Sequence, residues 1–289
     1  MAFGVSFITC GESVVKLLTL DYSPFQILFI RSAIALPLLL ILWKKDKPFT
    51  DIFRVNVKDQ LIRNGVLALA ILLAFFSLSL IPLFQYSSLF FSSPFFIVIF
   101  SIFLLGETVS KAIWLSLITG FLGVVIIFNP SSSFLFEIGS LAAILAAAFM
   151  GLGMVLTSKL SKLTSPLLMT LWYTGTCLIV GMCGSLGHPL SLHLNDFLFF
   201  GLTAFFNIGA NLTIIKSFQC TPASYLAPVQ YLAIPLSALL GYLIWEQLPG
   251  EGTLIGSLLV IGSGLYIFKR EKKLLEEKKE DVILGGDVL

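Results

Sequence analysis

Long apolar runs alternate with short polar connections along most of the chain. Each run holds about 17–25 residues, which is enough for a helix to cross the hydrocarbon core of a bilayer. The runs lack the regular alternation of barrel strands, and a helix satisfies its own backbone hydrogen bonds in lipid. We therefore predict an all-α membrane protein with ten transmembrane helices, called segments one to ten: 2–20, 24–43, 61–81, 84–105, 111–129, 136–158, 164–184, 196–216, 222–245 and 251–268.

The composition supports this prediction and excludes several other classes. The chain is 57% hydrophobic and 12% charged, and its mean hydropathy is +0.98. A soluble domain cannot bury that much apolar surface. The net charge of +2 gives no reason to expect nucleic-acid binding. Neither the cysteines nor His188 and His193 have metal-ligand spacing, so we expect no metal and no cofactor, and we expect the cysteines to be buried small hydrophobic residues: Cys10, Cys177, Cys183 and Cys220.

Basic residues are distributed to one side of the predicted membrane. Of the 18 Lys and Arg residues, all but Lys16 and Arg31 fall in alternate connections or in the tail after segment ten. The intervening connections contain none. By the positive-inside rule, both termini and every basic loop are cytoplasmic. We expect the chain to be a multi-pass protein of a bacterial inner membrane.

The two halves of the chain repeat the same order of features. An offset of 139 residues places Tyr86 on Tyr225 and Glu107 on Glu246. Each half has five helices, an odd number, so the halves insert in opposite orientations. Two halves that can exchange conformations support inward-open and outward-open states. We predict two inverted five-helix repeats, at 1–130 and 131–268, followed by a charged cytoplasmic tail at 269–289.

Short motifs carry a resemblance that extends over essentially the whole chain. The motifs are Leu105-Gly106-Glu107-Thr108, Gly120-Phe121-Leu122-Gly123, and Ala227-Pro228 with Gly241 and Glu246. With ten predicted helices in two inverted repeats, the chain resembles the EamA-type transporters of the drug/metabolite transporter superfamily. The resemblance implies a central cavity lined by segments one, three, four, six, eight and nine, with the others peripheral. Residues 221–256 are also similar to a branch that includes S-adenosylmethionine transporters, although the same features occur in other branches.

Glu12 is an acidic residue in the middle of segment one, and Lys16 follows one turn later on the same helical face. An ionisable side chain deep in a bilayer costs about 2.5–3.5 kcal/mol, so it normally faces a cavity or a partner. Glu12 can bind a substrate amine or carry a coupling proton. Alternatively, Glu12 and Lys16 form an ion pair that only offsets the cost of burial. Lys16 can also extend its long stem toward the surface.

Arg31 lies about seven residues inside segment two. It can anchor to lipid headgroups or bind an anionic group. Because the resemblance places segment two at the periphery, we expect the anchoring role.

The other candidate substrate-binding residues are polar groups in apolar helices. An i,i+4 amide pair in segment eight can bind substrate or form interhelical hydrogen bonds. Tyr86 and Tyr225 occupy matching places and are either gate residues or members of the interfacial aromatic belt. Two prolines, Pro228 and Pro235, should bend segment nine and shape the cavity. The candidates in segments four, eight and nine are Gln85, Tyr86, Asn207, Asn211, Tyr225, Gln230 and Tyr231.

The leading functional hypothesis is a secondary transporter that moves a small polar or amphipathic metabolite by alternating access. The metabolite is amino acid-like or nucleoside-like, with S-adenosylmethionine uptake or exchange as one candidate. The expected partners are the small-molecule substrate, the lipid bilayer, and a proton or counter-substrate. A second hypothesis is a proton-coupled exporter of amino acids or toxic metabolites. A non-transporting receptor is a further alternative, and so is an intramembrane enzyme, although no histidine accompanies Glu12.

Overall fold

A computed structural model describes residues 1–19, 21–46, 56–81, 86, 89–128, 138–186 and 196–245, together with positions scattered between 255 and 266. Within these residues all regular structure is helical. The helices are α1 (Ala2–Leu18), α2 (Pro24–Asp46), α3 (Val57–Leu80), α4 (Ser93–Leu105), α5 (Lys111–Phe128), α6 (Ile138–Ser161), α7 (Pro166–Ser185), α8 (Phe197–Cys220), α9 (Ala223–Leu226) and α10 (Ala233–Trp245), with a 3₁₀ helix, η1 (Ala227–Leu232), between the last two.

Local sequence explains where most helices begin and end. Pro24 opens α2 and Pro166 opens α7, since the missing N–H of proline costs little in the first turn. Gly106 follows α4 with φ +66°, a left-handed conformation that ends the helix. The predicted start of segment three, residue 61, is too late. The side chain of Asn56 accepts a hydrogen bond from the backbone N–H of Asp59 and starts α3 at Val57.

Segment nine is a broken helix. The 3₁₀ turn η1 separates α9 from α10 and contains Pro228 in its first turn. Pro235 follows within the first turn of α10. A proline removes an intrahelical hydrogen bond and clashes with the preceding turn, so the chain cannot continue as one regular α-helix. The predicted bend in segment nine is confirmed.

Hydrogen bonds between distant residues define one end of the bundle. The Gln219 amide donates to the Ser161 carbonyl at 2.7 Å, which joins the last turns of α8 and α6. The backbone nitrogen of Met1 donates to the Ser217 hydroxyl, which brings the start of α1 to the same place. Five exposed lysines lie at this end, which we call the basic end: Lys58, Lys111, Lys159, Lys162 and Lys216.

Other contacts define the opposite end. The Tyr22 hydroxyl donates to the Asp196 carboxylate at 2.9 Å, which joins the start of α2 to the start of α8. The Ser77 hydroxyl donates to the Gly139 carbonyl at 2.7 Å, which joins the end of α3 to the start of α6. The connections at this end contain Asp21 and Asp196 but no Lys or Arg among the described residues. Helices α1 to α8 therefore alternate in direction between a basic and an acidic end.

The main helix packing joins the first half of the chain to the second. Helix α3 packs on α6, α2 on α7, and α1 on α8. The α1–α8 and α3–α6 pairs correspond when the halves are exchanged. A Cβ added at Gly11 of α1 would meet Phe206 of α8, and one at Gly153 of α6 would meet Leu67 of α3. Small residues thus allow close approach at equivalent places in both pairs.

Segments two and seven, which we expect at the periphery, form one of the principal contacts between the halves. Helices α2 and α7 bury a common face, in which Leu39 and Trp43 pack against Leu168 and Leu171. The backbones also approach closely, since a Cβ at Gly181 would lie 2.6 Å from the backbone nitrogen of Phe29. This face therefore joins the two halves of the chain.

The outer surface is apolar. Large side chains such as Ile41, Phe103 and Leu198 are 67%, 80% and 69% exposed. A water-soluble protein would bury such groups, whereas lipid solvates them. Five of the described helical stretches are long and apolar enough to cross a membrane, and shorter apolar helices accompany them: Pro24–Trp43, Ile138–Ser161, Pro166–Ser185, Phe197–Cys220 and Ala223–Ile244, with Ala2–Val15, Ser93–Leu105 and Lys111–Ile126.

Candidate functional site

Glu12 lies in the middle of α1 and is exposed. Charged and polar groups of two other segments lie within electrostatic reach of it. Arg31 of α2 acts on its carboxylate, and Glu12 in turn acts on Tyr86, which precedes α4. The structure thus brings a carboxylate, a guanidinium and a phenol from three segments into mutual influence.

Arg31 is a partly buried residue of α2. Its guanidinium acts electrostatically on Glu12 of α1 and on Tyr173 and Cys177 of α7. Among the described residues it has no ion pair or hydrogen bond. The expectation that Arg31 anchors segment two to lipid headgroups stays a prediction, since these interactions do not exclude a headgroup contact.

Lys16 and Gln85 are candidate residues about which the structure says little. The side chain of Lys16 and the whole of Gln85 lie outside the described residues, as do His188 and His193. The predicted Glu12–Lys16 pair therefore stays a prediction. Tyr86 is described and partly buried, and its ring stacks on Phe90 with centroids 5.3 Å apart.

The amide pair of α8 is joined within its own helix. The Asn211 amide donates to the Asn207 carbonyl at 3.0 Å, and a longer contact of 3.4 Å reaches the Asn207 side-chain oxygen. Both residues are partly buried. One side-chain N–H of Asn211 is thereby used locally, as i,i+4 amides on a helix can do.

The candidates of segment nine lie in different surroundings. Tyr225 is partly buried against the apolar core. Tyr231 of η1 is fully buried, and its ring packs against Gly120 of α5. The Gln230 amide nitrogen and the Tyr231 hydroxyl are buried without hydrogen-bond partners among the described residues. In this conformation the Tyr231 side chain packs against other residues and is not accessible to solvent.

Arg63 is a buried cation that the sequence analysis assigned to a cytoplasmic loop. It is 2% exposed and lies inside α3, about 9 Å from the start of the helix at 1.5 Å per residue. Its Nε donates to the Thr157 hydroxyl at 2.8 Å. One terminal nitrogen donates to the Asn64 side-chain oxygen at 3.1 Å and to the Met169 carbonyl at 3.2 Å. Arg63 thus ties α3 to α6 and α7.

Tyr173 and Cys177 lie one turn apart on α7, and both arginines act on them electrostatically. The Arg63 guanidinium carbon lies 6.0 Å from the centre of the Tyr173 ring, and Arg31 acts on both residues as well. Polar groups therefore extend from Arg31 and Glu12 to Arg63 at the basic end.

The cysteines are only partly as expected. Cys177 is buried and Cys10 is partly buried, but Cys183 and Cys220 are exposed. The expectation of four buried cysteines is wrong for these two. A thiol is apolar enough to sit on a lipid-facing surface. No group of three or more His, Cys, Asp or Glu residues that could hold a metal ion occurs in the described part of the chain.

Glu107 has a structural contact that its position at a helix end did not reveal. Its carboxylate accepts hydrogen bonds from the backbone N–H groups of Ala223 and Ser224, both at 2.9 Å. These are the first two residues of α9, whose backbone donors have no partners within the helix. In the sequence, a glutamate directly after a helix-ending glycine indicates a carboxylate that has no partner in its own helix. The sequence does not indicate which residue binds it, because its partner Ala223 is 116 residues away.

Comparison with known proteins agrees with this architecture. A sequence profile of the EamA-like transporter family matches residues 2–129 and again residues 137–269. The chain is 28% identical over 206 residues to a riboflavin transporter of Rhizobium johnstonii, covering 68% of this chain and 65% of that protein. It is 27% identical over 208 residues to an S-adenosylmethionine uptake transporter of Rickettsia bellii, covering 70% and 69%.

Two further likenesses cover nearly the whole chain. A pseudopaline exporter of Pseudomonas aeruginosa is 24% identical over 270 residues, or 90% of this chain and 92% of that one. A solved crystal structure superimposes with a TM-score of 0.79 at 20% identity, covering 94% of this chain and 97% of that one. The second likeness shows the fold.

The matching family is one of transporters and the relatives above are named as transporters, which indicates a transporter rather than an enzyme. The chain belongs to the EamA-like transporter family, whose profile matches both of its halves.

Proposed function

We propose that the protein is a secondary transporter of a small zwitterionic metabolite and works by alternating access. The substrate carries a cationic group and a carboxylate, as amino acids and S-adenosylmethionine do. One observation carries this proposal. Glu12 and Arg31 bring opposite charges from α1 and α2 into the same part of the bundle, and Glu12 is exposed there.

The pair suits a zwitterion for electrostatic reasons. A charge in the bilayer interior needs an opposite charge or strong hydrogen bonds. Glu12 offers a carboxylate to an ammonium or sulfonium group, and Arg31 offers a planar set of donors that matches a carboxylate. The two groups attract each other when the site is empty, which reduces the cost of keeping both in the membrane.

The arrangement of the halves supports alternating access. The principal packing faces join residues 1–130 to residues 131–268, and corresponding pairs exchange when the halves are exchanged. Such an arrangement provides two states of similar energy around a central site. We propose that the halves are inverted repeats in ten transmembrane segments, with the basic end in the cytoplasm of a bacterial cell.

S-adenosylmethionine is the substrate to test first, because it is zwitterionic and a relative is named for its uptake. Purified protein in proteoliposomes should take up labelled S-adenosylmethionine, and faster into vesicles preloaded with the unlabelled compound. Glu12→Gln and Arg31→Gln should each lower kcat/KM at least tenfold. Lys162→Gln removes a charge from an exposed site and should leave transport unchanged.

Two results would contradict the proposal. Unchanged transport in both Glu12→Gln and Arg31→Gln would remove the charge pair from the site. Competition by neutral flavins but by no zwitterion would assign the protein a different substrate class. A panel of amino acids, nucleosides, riboflavin and S-adenosylmethionine as competitors distinguishes these outcomes.

The interior carboxylate also supports a second candidate, a proton-coupled exporter of amino acids or toxic metabolites. In that case Glu12 carries the proton. Glu12→Gln would then abolish accumulation driven by a pH gradient but leave exchange of substrate across the membrane intact. In the zwitterion carrier the same variant loses both activities. A pH-sensitive dye inside the vesicles reports the proton flux directly.

A further inference from the structure

We infer that Arg63, Gln60 and Asn64 form an anion-binding site at the basic end, which takes the carboxylate of the transported substrate after it leaves Arg31. The inference rests on the proposed function for the identity of the anion. The site itself follows from the chemistry of the three side chains and their surroundings.

The first step concerns the charge of Arg63. The guanidinium is buried, and its three described hydrogen-bond acceptors are a hydroxyl, an amide oxygen and a backbone carbonyl. All are neutral. Within the described residues no carboxylate lies within ion-pair distance of it. Buried cations in proteins are normally paired with an anion, so the cluster carries a positive charge that its own residues do not neutralise.

The second step concerns the neighbouring amides. Gln60 and Asn64 are each 1% exposed. Both amide atoms of Gln60 and the amide nitrogen of Asn64 are buried without hydrogen-bond partners among the described residues. Residues 60, 63 and 64 share one face of a helix. The sequence thus places a guanidinium and two amide groups with unused N–H donors side by side.

The third step identifies the ligand class. N–H donors around an unneutralised cation favour an anion with several acceptor oxygens. A guanidinium binds a carboxylate with two parallel hydrogen bonds, and amides can hold the remaining lone pairs. A carboxylate therefore fits this donor set, whereas an ammonium group does not.

The fourth step connects the site to transport. Arg31 and Arg63 both act electrostatically on Tyr173 and Cys177 of α7. Arg31 is the one nearer the acidic end of the bundle, and Arg63 is the one nearer the basic end. The Arg63 cluster lies between α3, α6 and α7. Helices α6 and α7 belong to the second half of the chain and pack against α3 of the first half. When these helices separate at the basic end, the cluster becomes accessible. A carboxylate released by Arg31 then meets a second guanidinium on its way.

Cys177 provides a test that requires no knowledge of the substrate. A protein that retains Cys177, with Cys10, Cys183 and Cys220 replaced by serine, is reconstituted and treated with methanethiosulfonate reagents. The thiolate attacks the sulfenyl sulfur, a disulfide forms and methanesulfinate leaves. One reagent carries a sulfonate and the other a trimethylammonium group. The measured quantity is the ratio of the anionic to the cationic reaction rate.

The site predicts how this ratio changes with charge. Arg63→Gln should lower it about tenfold, since a buried, unneutralised charge that acts on Cys177 is weakly screened. Lys58→Gln removes the same charge from an exposed position on α3 and should leave the ratio unchanged. Arg63→Lys keeps the charge and should stay within about twofold of the parent, which also covers the case in which Arg63→Gln does not fold.

Three results would overturn the inference. The first is that Cys177 reacts with neither reagent. The second is that the ratio is equal in the parent and Arg63→Gln proteins. The third is that Lys58→Gln changes the ratio as much as Arg63→Gln does. A purely structural clamp by Arg63 predicts that Cys177 reacts with neither reagent, because the buried cluster then never opens to a solute.

Protection of Cys177 identifies the anion. S-adenosylmethionine should slow the modification, and decarboxylated S-adenosylmethionine should do so at least fivefold less well at equal concentration. Arg63→Lys and Gln60→Leu should remove this difference. Equal protection by both compounds in the parent protein would overturn the assignment to a carboxylate. If neither compound protects but the reagent ratio still depends on Arg63, then the anion site stands and the proposed substrate falls.

Discussion

The carboxylate of Glu107 accepts hydrogen bonds from both the backbone N–H and the hydroxyl of Ser224, at 2.9 and 2.5 Å. Glu107 follows α4 in the first half of the chain, and Ser224 lies in α9 of the second half. The contact is at the basic end, where it ties the halves together. Any movement that separates α9 from the α4–α5 connection has to break these bonds.

We expect Glu107→Gln to destabilise the protein by about 1–2 kcal/mol, because a charged acceptor of three hydrogen bonds becomes a neutral one. Thermal unfolding in detergent measures the change. Asp21→Asn removes a carboxylate from an exposed position and serves as the control. Equal transition temperatures for the two variants would show that the Glu107 contact contributes little to the fold.

Two glycines of α7 make a matched pair for testing the α2–α7 contact. At Gly181 a Cβ would lie 2.6 Å from the Phe29 backbone nitrogen, whereas at Gly175 it would meet nothing within 4 Å. Gly181→Ala should cost about 1–3 kcal/mol, because backbone cannot move aside easily. Gly175→Ala should be neutral or stabilise the helix by up to about 1 kcal/mol. Unfolding measurements that rank the two variants in reverse would contradict the close approach of α2 and α7.

Variants of Tyr231 distinguish a packing role of this side chain from a substrate-binding role. Its ring is buried against the core and its hydroxyl has no described partner. Tyr231→Phe should therefore leave stability unchanged or slightly raised, since an unpaired buried hydroxyl is unfavourable. Tyr231→Ala should cost about 3–5 kcal/mol. A rise in the transport KM of Tyr231→Phe at unchanged stability would instead show that the hydroxyl meets the substrate in another conformation.

The orientation in the membrane can be tested with introduced cysteines. Asp21→Cys and Lys162→Cys are made in a protein whose four native cysteines are replaced by serine. A maleimide that cannot cross the inner membrane should label the Asp21→Cys protein in intact cells. It should label the Lys162→Cys protein only after the cells are opened, because the positive-inside rule places lysines in the cytoplasm. The reverse pattern would invert the proposed topology.

The helices and their punctuation could be predicted from the sequence because these features are local. Apolar length, proline at helix starts and two prolines in segment nine correctly indicated α1 to α8 and the broken helix. The start of α3 was missed by four residues, since the Asn56 cap outweighs the polarity of the first turn. The burial of Arg63 was missed for a different reason: a cation near a helix end looks cytoplasmic in the sequence, and only the packing of α6 and α7 covers it.

The roles of Arg31 and Glu107 depend on residues far away in the chain. Nothing near Arg31 in sequence distinguishes an anchor in lipid from a group that faces Glu12. Only the tertiary structure places it within electrostatic reach of Glu12. Likewise, Glu107 meets α9 because the two halves associate.

By itself, the sequence determined that the chain is helical, lies in a membrane and repeats the same order of features in its two halves. It also showed that the basic loops lie on one side of the predicted membrane. Hydropathy and charge reveal these properties because each acts through the solvent nearest to its own segment. The tertiary structure alone decided which charges share the interior and which helix ends touch. Those contacts join residues that are up to 216 positions apart, as Met1 and Ser217 are, and no local pattern encodes them.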